Sequence, residues 1–189
     1  MSKVSSFKTI KTPINGLKIH LNKVVGDDRG FFCDLAEADN PIWKTRIKHL
    51  HASIAVNKGV ARGGHYHLRL TENFYMLSGT SLMLFHDFRT KSKTFGKTWS
   101  VILGFSPYVT ESDPVKLPLG TKSYFIDENK LAQIEIAPYI YHAFWPLTNE
   151  RVVAMATGTT GYDPTDFVKP SIEEMPRALK VLKKFGIRI

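Results

Sequence analysis

The chain has 189 residues, 43% of them hydrophobic, and a formal net charge of +9. This length supports one substantial core, so we expect a single domain over residues 1–189. The single cysteine, Cys33, excludes an internal disulfide. The chain has no apolar run suited to a signal peptide or a membrane span, so we expect a cytoplasmic protein without a membrane partner. The basic residues are mostly scattered and not interleaved with stacking aromatics, which disfavours nucleic acid and is compatible with a small phosphorylated ligand.

Short alternating or β-branched segments dominate the chain, and turn-forming residues separate them. The predicted strands are residues 17–25, 51–56, 65–70, 73–77, 81–88, 98–103, 132–136 and 151–157. Turn signals lie between them at 26–30, 57–59, 78–80 and 127–129. This pattern predicts an all-β sandwich or barrel.

The last third of the chain contains a predicted loop and a predicted helix. Residues 105–119 contain three prolines and are expected to form a long loop. Ser171 followed by Glu174 resembles a capping box, which predicts a short C-terminal helix that Pro176 interrupts in its first turns. Its apolar stripe would consist of Ile172, Leu179, Leu182 and Phe185.

The segment 59–79 carries the strongest chemical signal, because it places Arg62, His65, His67 and Glu72 between Gly59 and Gly79. Side chains two apart on a strand share a face, so His65 and His67 point the same way. Two imidazoles, a guanidinium and a carboxylate on one side of a sheet suit either of two sites. One is a metal site, and the other holds an anionic substrate beside a proton-transferring base.

The spacing of these residues matches the first cupin motif: Gly59, five residues, His65-x-His67, four residues, Glu72, six residues, Gly79. His142 stands where a later strand would deliver a fourth group into the same cavity. His49, His51 and His86 are expected to be structural or exposed.

Four segments carry a family signal: GDDRGFF at 26–32, VARGGHYH at 60–67, DFRTKSKTFGKTW at 87–99 and IAPYIYHAF at 136–144. Together they resemble the dTDP-4-dehydrorhamnose 3,5-epimerase family of nucleotide-sugar cupins. The resemblance implies a cupin jelly-roll β-sandwich or barrel that is commonly a homodimer. It also implies an enzyme that uses no metal or other cofactor and acts on a 4-keto-6-deoxyhexose linked to a nucleoside diphosphate.

The resemblance also implies roles for individual residues. His65 matches the catalytic base, and Arg62 matches the residue that binds the diphosphate, where its planar fork suits phosphate oxygens. Arg29 and Phe32 match a stretch that holds the nucleotide, and the resemblance implies that they do so from across a dimer interface. His142 is expected to contact the substrate.

The chain departs from this family at three places. Ala156 stands where the family has its acid tyrosine, so Tyr141 is the predicted substitute. Glu72 stands near a family lysine that stabilises the enolate, and we expect Glu72 to orient a histidine instead. The C-terminal tail lacks the segment bearing the aspartate that orients the base.

These observations predict an isomerase, a nucleotide-sugar epimerase that removes a proton at C3, or at C3 and C5, through an enolate. The pathway would be deoxysugar and surface polysaccharide biosynthesis of the O-antigen type. Three alternatives stay open. A 3,4-ketoisomerase would use His67 as a second proton relay; a metal-dependent cupin would use His65, His67, Glu72 and His142; and a non-catalytic cupin would only bind the sugar.

Overall fold

The computed structural model describes residues 8–33, 35, 47–107 and 117–188. Most of the predicted loop at 105–119 lies outside the described residues. Two six-stranded sheets form a sandwich, as alternating strands predict. Within the described residues, no helix is both long and apolar enough to cross a bilayer.

The first sheet is antiparallel throughout. Its strands are β1 (Lys8–Lys11), β2 (Leu17–Lys23), β5 (His49–Ala55), β7 (Glu72–Ser78), β11 (Lys130–Ile136) and β13 (Val152–Gly158). They lie in the order β1-β2-β11-β7-β13-β5, so strands far apart in the chain become neighbours. β13 therefore pairs with β7 along one edge and with β5 along the other, and both of these strands border the site.

The second sheet is antiparallel except for its last pair, β9 and β10. Its strands are β6 (Arg62–His67), β8 (Thr80–Asp87), β9 (Thr98–Gly104), β10 (Ser123–Phe125), β12 (Ile140–Pro146) and β14 (Phe167–Val168). They lie in the order β10-β9-β8-β12-β6-β14. A separate hairpin joins β3 (Val25–Asp27) to β4 (Gly30–Phe32).

The main core lies between the two sheets and takes apolar side chains from both. From the first sheet come Ile19, Phe74 and Ile134, and from the second come Phe85 and Phe144, all of them buried. Burial of each such side chain stabilises the fold by about 1.5–3 kcal/mol. The jelly-roll prediction is therefore confirmed.

A short helix, α1 (Pro176–Lys184), covers the outer face of the second sheet. The capping box is present: the Ser171 backbone N–H donates to Glu174 Oε1 at 2.8 Å and opens a 3-10 turn over Ile172–Glu174. Pro176 occupies the start of α1, where its missing N–H would have no helical partner in any case. The predicted C-terminal helix is confirmed.

The backbones of Gly79 and Gly104 lie close together at the turn between β7 and β8. Gly79 has φ +66° in the turn from β7 to β8, and Gly104 has φ +111° opposite Thr80. A Cβ atom on Gly104 would overlap the Gly79 carbonyl oxygen. A Cβ atom on Gly79 would lie 2.6 Å from the Arg151 carbonyl oxygen, so both the turn and this contact require the last glycine of the 59–79 segment.

Candidate active site

The candidate site lies at one end of the sandwich, where strands of both sheets converge. His65 and His67 lie on β6, and their ring centroids are 4.9 Å apart, which confirms that they share a face. His142 is the register partner of His65 on the neighbouring β12, and their rings are 4.7 Å apart. Glu72 is the first residue of β7 in the other sheet and faces the same space. The structure therefore brings together the four groups of the predicted histidine and carboxylate set.

Two adjoining cavities open onto His65 and Glu72, whereas His142, which the resemblance placed in contact with the substrate, is buried and lines neither of them. The first has a volume of about 370 Å³. Its walls include His65, His67 and Glu72, with Tyr162 and Asp166 from the segment after β13. The second, of about 320 Å³, shares His65, Glu72 and Tyr162 and extends to Arg62 and Lys169. Together they provide a concave site with ionisable groups at its base, which is typical of small-molecule sites.

Glu72 is the centre of the charged network, and the residue is 3% exposed. Its Oε2 lies 3.0 Å from His142 Nε2 and 3.9 Å from His67 Nε2, while Oε1 lies 3.7 Å from His51 Nε2. Burial by itself raises the pKa of Glu72, but the imidazoles of His142, His67 and His51 together lower it below its ordinary value. Glu72 is therefore a carboxylate at neutral pH.

His65 is an uncharged imidazole at neutral pH. Burial lowers its pKa to about 3, and the neighbouring His142 and His67 rings add to this effect. Burial also lowers the pKa of His67 and of His51. An uncharged imidazole has a lone pair, so His65 is in the protonation state that a general base requires.

Asp166 fixes the orientation of His67. Its Oδ2 lies 3.4 Å from His67 Nδ1 and accepts the Leu70 backbone N–H at 3.2 Å. Its Oδ1 accepts the Arg69 backbone N–H at 2.9 Å. The tail was expected to bring no aspartate to the site, yet Asp166 reaches it, beside His67. The turn formed by residues 163–166 was the available signal, since Asp163 caps it through Thr165.

Arg62 lies at the rim of the second cavity and not at its base. The residue is exposed, and its Nε donates to Ser53 Oγ at 3.2 Å. Lys169 lines the same cavity. The mouth of the site thus carries two cationic side chains, whereas its base holds a carboxylate and neutral imidazoles. This distribution of charge suits a ligand whose outer part is anionic.

Tyr141 is not part of the cavity. It follows Ile140 on β12 and points away from His142, into the layer beneath α1, where it packs with Leu82 and Met175. Burial there raises the pKa of Tyr141 to about 12. The structure therefore does not bring Tyr141, the predicted acid, to the cavity, because adjacent residues of a strand point to opposite faces. Ala156 is buried in the main core and offers no proton either.

Sequence reasoning overlooked three aromatic groups that line the cavity. His49 and His51, expected to be structural or exposed, both lie in its wall, with ring centroids 4.9 Å apart. Tyr162 lies above them, 6.2 Å from the His49 ring, and is 72% exposed. Among the described lining residues of the two cavities, Tyr162 is the one tyrosine. His86 lies elsewhere, on the side of β8 that faces α1.

Arg29 and Phe32 are not brought to the cavity of their own chain. Both lie on the hairpin of β3 and β4, where Phe32 is 64% exposed and Arg29 Nε donates to Asp27 Oδ2 at 3.2 Å. Neither is among the residues that line the two cavities. Their predicted role in holding the nucleotide thus has no counterpart within one chain.

Solved structures with the same fold include sugar epimerases. The dTDP-6-deoxy-D-glucose-3,5-epimerase of Legionella pneumophila Philadelphia 1, in complex with dTDP-4-keto-L-rhamnose, is 26% identical, with a TM-score of 0.65 over 86% of this chain and 77% of that one. The 4-keto-6-deoxy sugar epimerase from the novobiocin cluster of Streptomyces spheroides is 17% identical, with a TM-score of 0.66 over 89% and 76%.

A 3'-monoepimerase from Streptomyces bikiniensis, crystallised as a double mutant with dTDP, also shares the fold. It is 16% identical and has a TM-score of 0.65 over 95% of this chain and 77% of that one. A comparison with curated protein sequences gave no match. The family model of dTDP-4-dehydrorhamnose 3,5-epimerase matches residues 11–107, just over half of the chain. This chain therefore belongs to the dTDP-4-dehydrorhamnose 3,5-epimerase family, whose members are sugar epimerases of the isomerase class.

Proposed function

We propose that this protein epimerises a nucleoside-diphosphate-linked 4-keto-6-deoxyhexose by removing a proton at C3, or at C3 and C5. The observation that carries the proposal is the uncharged, largely buried His65 at the base of a cavity whose rim is cationic. A proton on carbon beside a ketone becomes removable when a base reaches it and the enolate oxygen is stabilised. We place this reaction in the cytoplasm, in the synthesis of deoxysugars for surface polysaccharides.

His65 takes the proton in this scheme, and its neighbours determine its surroundings. Glu72 holds His142 through the 3.0 Å contact and stabilises positive charge that develops on the histidine cluster. His67, fixed by Asp166, is positioned to contact the sugar on the same side as His65. The substrate is therefore held between the histidines and the opposite wall of the cavity.

Inversion requires that a proton return from the opposite face of the sugar. Tyr162 is the candidate acid, because it lines both cavities and carries a hydroxyl. It takes the part first assigned to Tyr141. A phenol hydroxyl is a hydrogen-bond donor whose proton can pass to the enolate carbon.

The diphosphate would bind at the rim. Arg62 offers a planar fork of donors, and Lys169 adds a second positive charge to the wall of the same cavity. The sugar then extends inward to His65, which also lines this cavity.

We further propose a homodimer in which Arg29 and Phe32 reach the nucleotide in the cavity of the partner subunit. Their exposure on a hairpin outside the cavity supports this arrangement. Co-expression of Arg29→Ala and His65→Asn chains tests it. Mixed dimers would contain one intact site and restore about a quarter of wild-type turnover. No recovery, with mixed dimers verified, would show that Arg29 acts within its own chain or not at all.

Proton exchange in deuterated water tests the assignment of the base. Purified protein is incubated with dTDP-, CDP- and GDP-linked 4-keto-6-deoxyhexoses, and the C3 and C5 proton signals are followed by NMR. We expect loss of at least one signal, and we expect His65→Asn to slow that loss by about 10²–10⁴-fold.

His86→Asn is the matched control, since His86 lies near α1 with Nδ1 bonded to Thr98 Oγ1 at 2.8 Å. Unchanged exchange in His65→Asn would refute the role of His65. Exchange at C3 with a product whose keto group has moved would indicate a 3,4-ketoisomerase. Binding of a nucleotide sugar without any exchange would indicate a non-catalytic cupin.

A further inference from the structure

A third cavity, of about 520 Å³, lies between the loop that joins β8 to β9 and the start of α1. Its lining residues come from the segments 86–97 and 174–177, and none of them lines either cavity of the candidate active site. Because α1 covers the outer face of the second sheet, this cavity lies outside the main core and shares no wall with the histidine cluster. Its volume is within the range of small-molecule sites.

The third cavity carries an excess of positive charge. Lys93, Lys97 and Arg177 line it together with one carboxylate, that of Glu174. Within the part of the chain that the structure describes, none of the three cationic side chains is in an ion pair. The Glu174 carboxylate already accepts the Ser171 backbone N–H at 2.8 Å. Unpaired cations on a concave surface raise the local concentration of anions, so the cavity favours an anionic ligand.

The loop that supplies both lysines is held in place by the buried end of β8. Asp87 Oδ2 accepts the hydroxyl groups of Ser92 at 2.8 Å and Thr94 at 2.6 Å, and Lys93 lies between these two residues. The Asp87 backbone N–H donates to the Lys97 carbonyl oxygen at 3.1 Å. A loop that is already ordered loses little conformational freedom when a ligand binds, so its lysines are arranged in advance.

Two phenyl rings add an apolar wall beside these cations. Phe95 lines the cavity and is 55% exposed, although a phenyl ring is normally buried. Phe88 is half-buried, and its ring centroid lies 5.1 Å from that of Tyr66. An exposed aromatic ring can stack on a nucleobase, while arginine and lysine side chains hold phosphate oxygens. The cavity thus offers both of the contacts that a nucleotide needs.

We propose that this cavity is a second ligand site, which binds a nucleoside diphosphate. Lys93, Lys97 and Arg177 hold the two phosphates, and Arg177 contributes a planar fork of donors. The base lies against the exposed ring of Phe95. This site is distinct from the cavity of His65 and does not depend on the reaction proposed there.

Site-resolved NMR tests the proposal, because it distinguishes this cavity from the candidate active site. The full chain is labelled with ¹⁵N, its amide signals are assigned, and it is titrated with dTDP and with ADP to millimolar concentration at physiological ionic strength. We expect the amide signals of Gly96, Lys97 and Arg177 to shift with both nucleotides, because phosphate and base contacts do not depend on the identity of the base.

Variants identify the groups that bind. Lys93→Gln and Arg177→Gln should each weaken nucleotide binding at this cavity about tenfold, since each removes a charge-assisted hydrogen bond. Phe95→Ala should weaken nucleotide binding about tenfold and leave the binding of inorganic pyrophosphate unchanged. Lys91→Gln is the matched control: it removes the same charge from the same loop, but Lys91 is exposed and does not line the cavity. It should stay within about twofold of wild type.

Three results would overturn the proposal. One is that the shifts stay confined to residues of the candidate active site at millimolar nucleotide. Another is that Lys93→Gln and Arg177→Gln, shown to be folded by thermal unfolding, bind nucleotide at this cavity as the wild type does. The third is that pyrophosphate binds as tightly as dTDP and Phe95→Ala affects neither, which would show a site for an anion alone.

The proton-exchange assay separates this inference from the proposed function. Exchange on a nucleotide sugar with unchanged signals at Gly96 and Arg177 would support the epimerase and refute the second site. Nucleotide-dependent shifts at Gly96 and Arg177 with no exchange on any substrate would leave the second site standing and refute the epimerase.

Discussion

Replacement of Asp87 by asparagine should destabilise the fold by an amount that depends on pH. Asp87 ends β8 and is fully buried. Its Oδ1 accepts the Arg89 Nε–H at 2.7 Å, and its Oδ2 accepts hydroxyl groups of Ser92 at 2.8 Å and Thr94 at 2.6 Å. Burial by itself raises the pKa of Asp87. The hydrogen bonds from Arg89, Thr94 and Ser92 have the larger effect and lower the pKa to about 2.

The depressed pKa sets the magnitude. A pKa lowered from 3.8 to about 2 corresponds to about 2.5 kcal/mol in favour of the charged form in the folded state. This stabilisation is fully present above the unfolded pKa and is lost as the pH falls through the folded value. Asp87→Asn, which is uncharged at every pH, should therefore cost about 2.5 kcal/mol at pH 7 and about 1.3 kcal/mol at pH 3.

Urea denaturation followed by tryptophan fluorescence at both pH values measures this difference. Thr94→Val is a useful comparison, because it removes one hydrogen bond to the carboxylate and should cost about 1 kcal/mol. A cost of Asp87→Asn that is the same at pH 7 and pH 3, or below about 0.5 kcal/mol at pH 7, would refute the electrostatic reasoning.

Three further predictions follow from the site and the fold. Arg62→Ala should raise KM for the nucleotide sugar about tenfold with little change in kcat, because a phosphate contact at the rim is lost; steady-state kinetics would contradict this if kcat fell instead. Tyr162→Phe should slow product formation about 100-fold while Tyr141→Phe stays within about twofold of wild type, and the reverse pattern in coupled product analysis would return the acid role to Tyr141. Gly104→Ala should destabilise the fold by about 3 kcal/mol through overlap with Gly79, and an unchanged melting temperature would show that the backbone relaxes.

Sequence patterns located strands well where one face of the strand is more exposed than the other. In β5, for example, half-buried and exposed positions alternate, and its predicted range of 51–56 overlaps the observed His49–Ala55. Residues 140–146 were not among the predicted strands; every residue of β12 is buried, as in β8, whose apolar segment was nevertheless predicted as a strand. The main core covers one face and α1 covers the other, so the alternation on which the prediction depends is absent.

The candidate site was predictable only where its residues share one local segment. His65, His67 and Glu72 come from a fixed spacing across a hairpin, and the structure brings them together. Asp166 and Tyr162 come from a segment about 90 residues further along the chain, which tertiary folding alone brings back to β6.

Tyr141 shows that such predictions depend on which face of the strand a residue occupies. It was chosen from the right strand, one residue away from His142, but a shift of one residue moves a side chain to the opposite face of the sheet. Its neighbour His142 consequently lies on the side of Glu72, 3.0 Å from its carboxylate, while Tyr141 lies under α1.

β12 forms a partition between two compartments of the molecule. One side of this strand carries His142, and the other carries Tyr141, Ala143 and Trp145 beneath α1. A change in packing under the helix, for instance at Leu182, therefore moves the strand that positions His142. Laboratory evolution of this protein should accordingly find activity-tuning substitutions beneath the C-terminal helix, in a layer that no substrate touches.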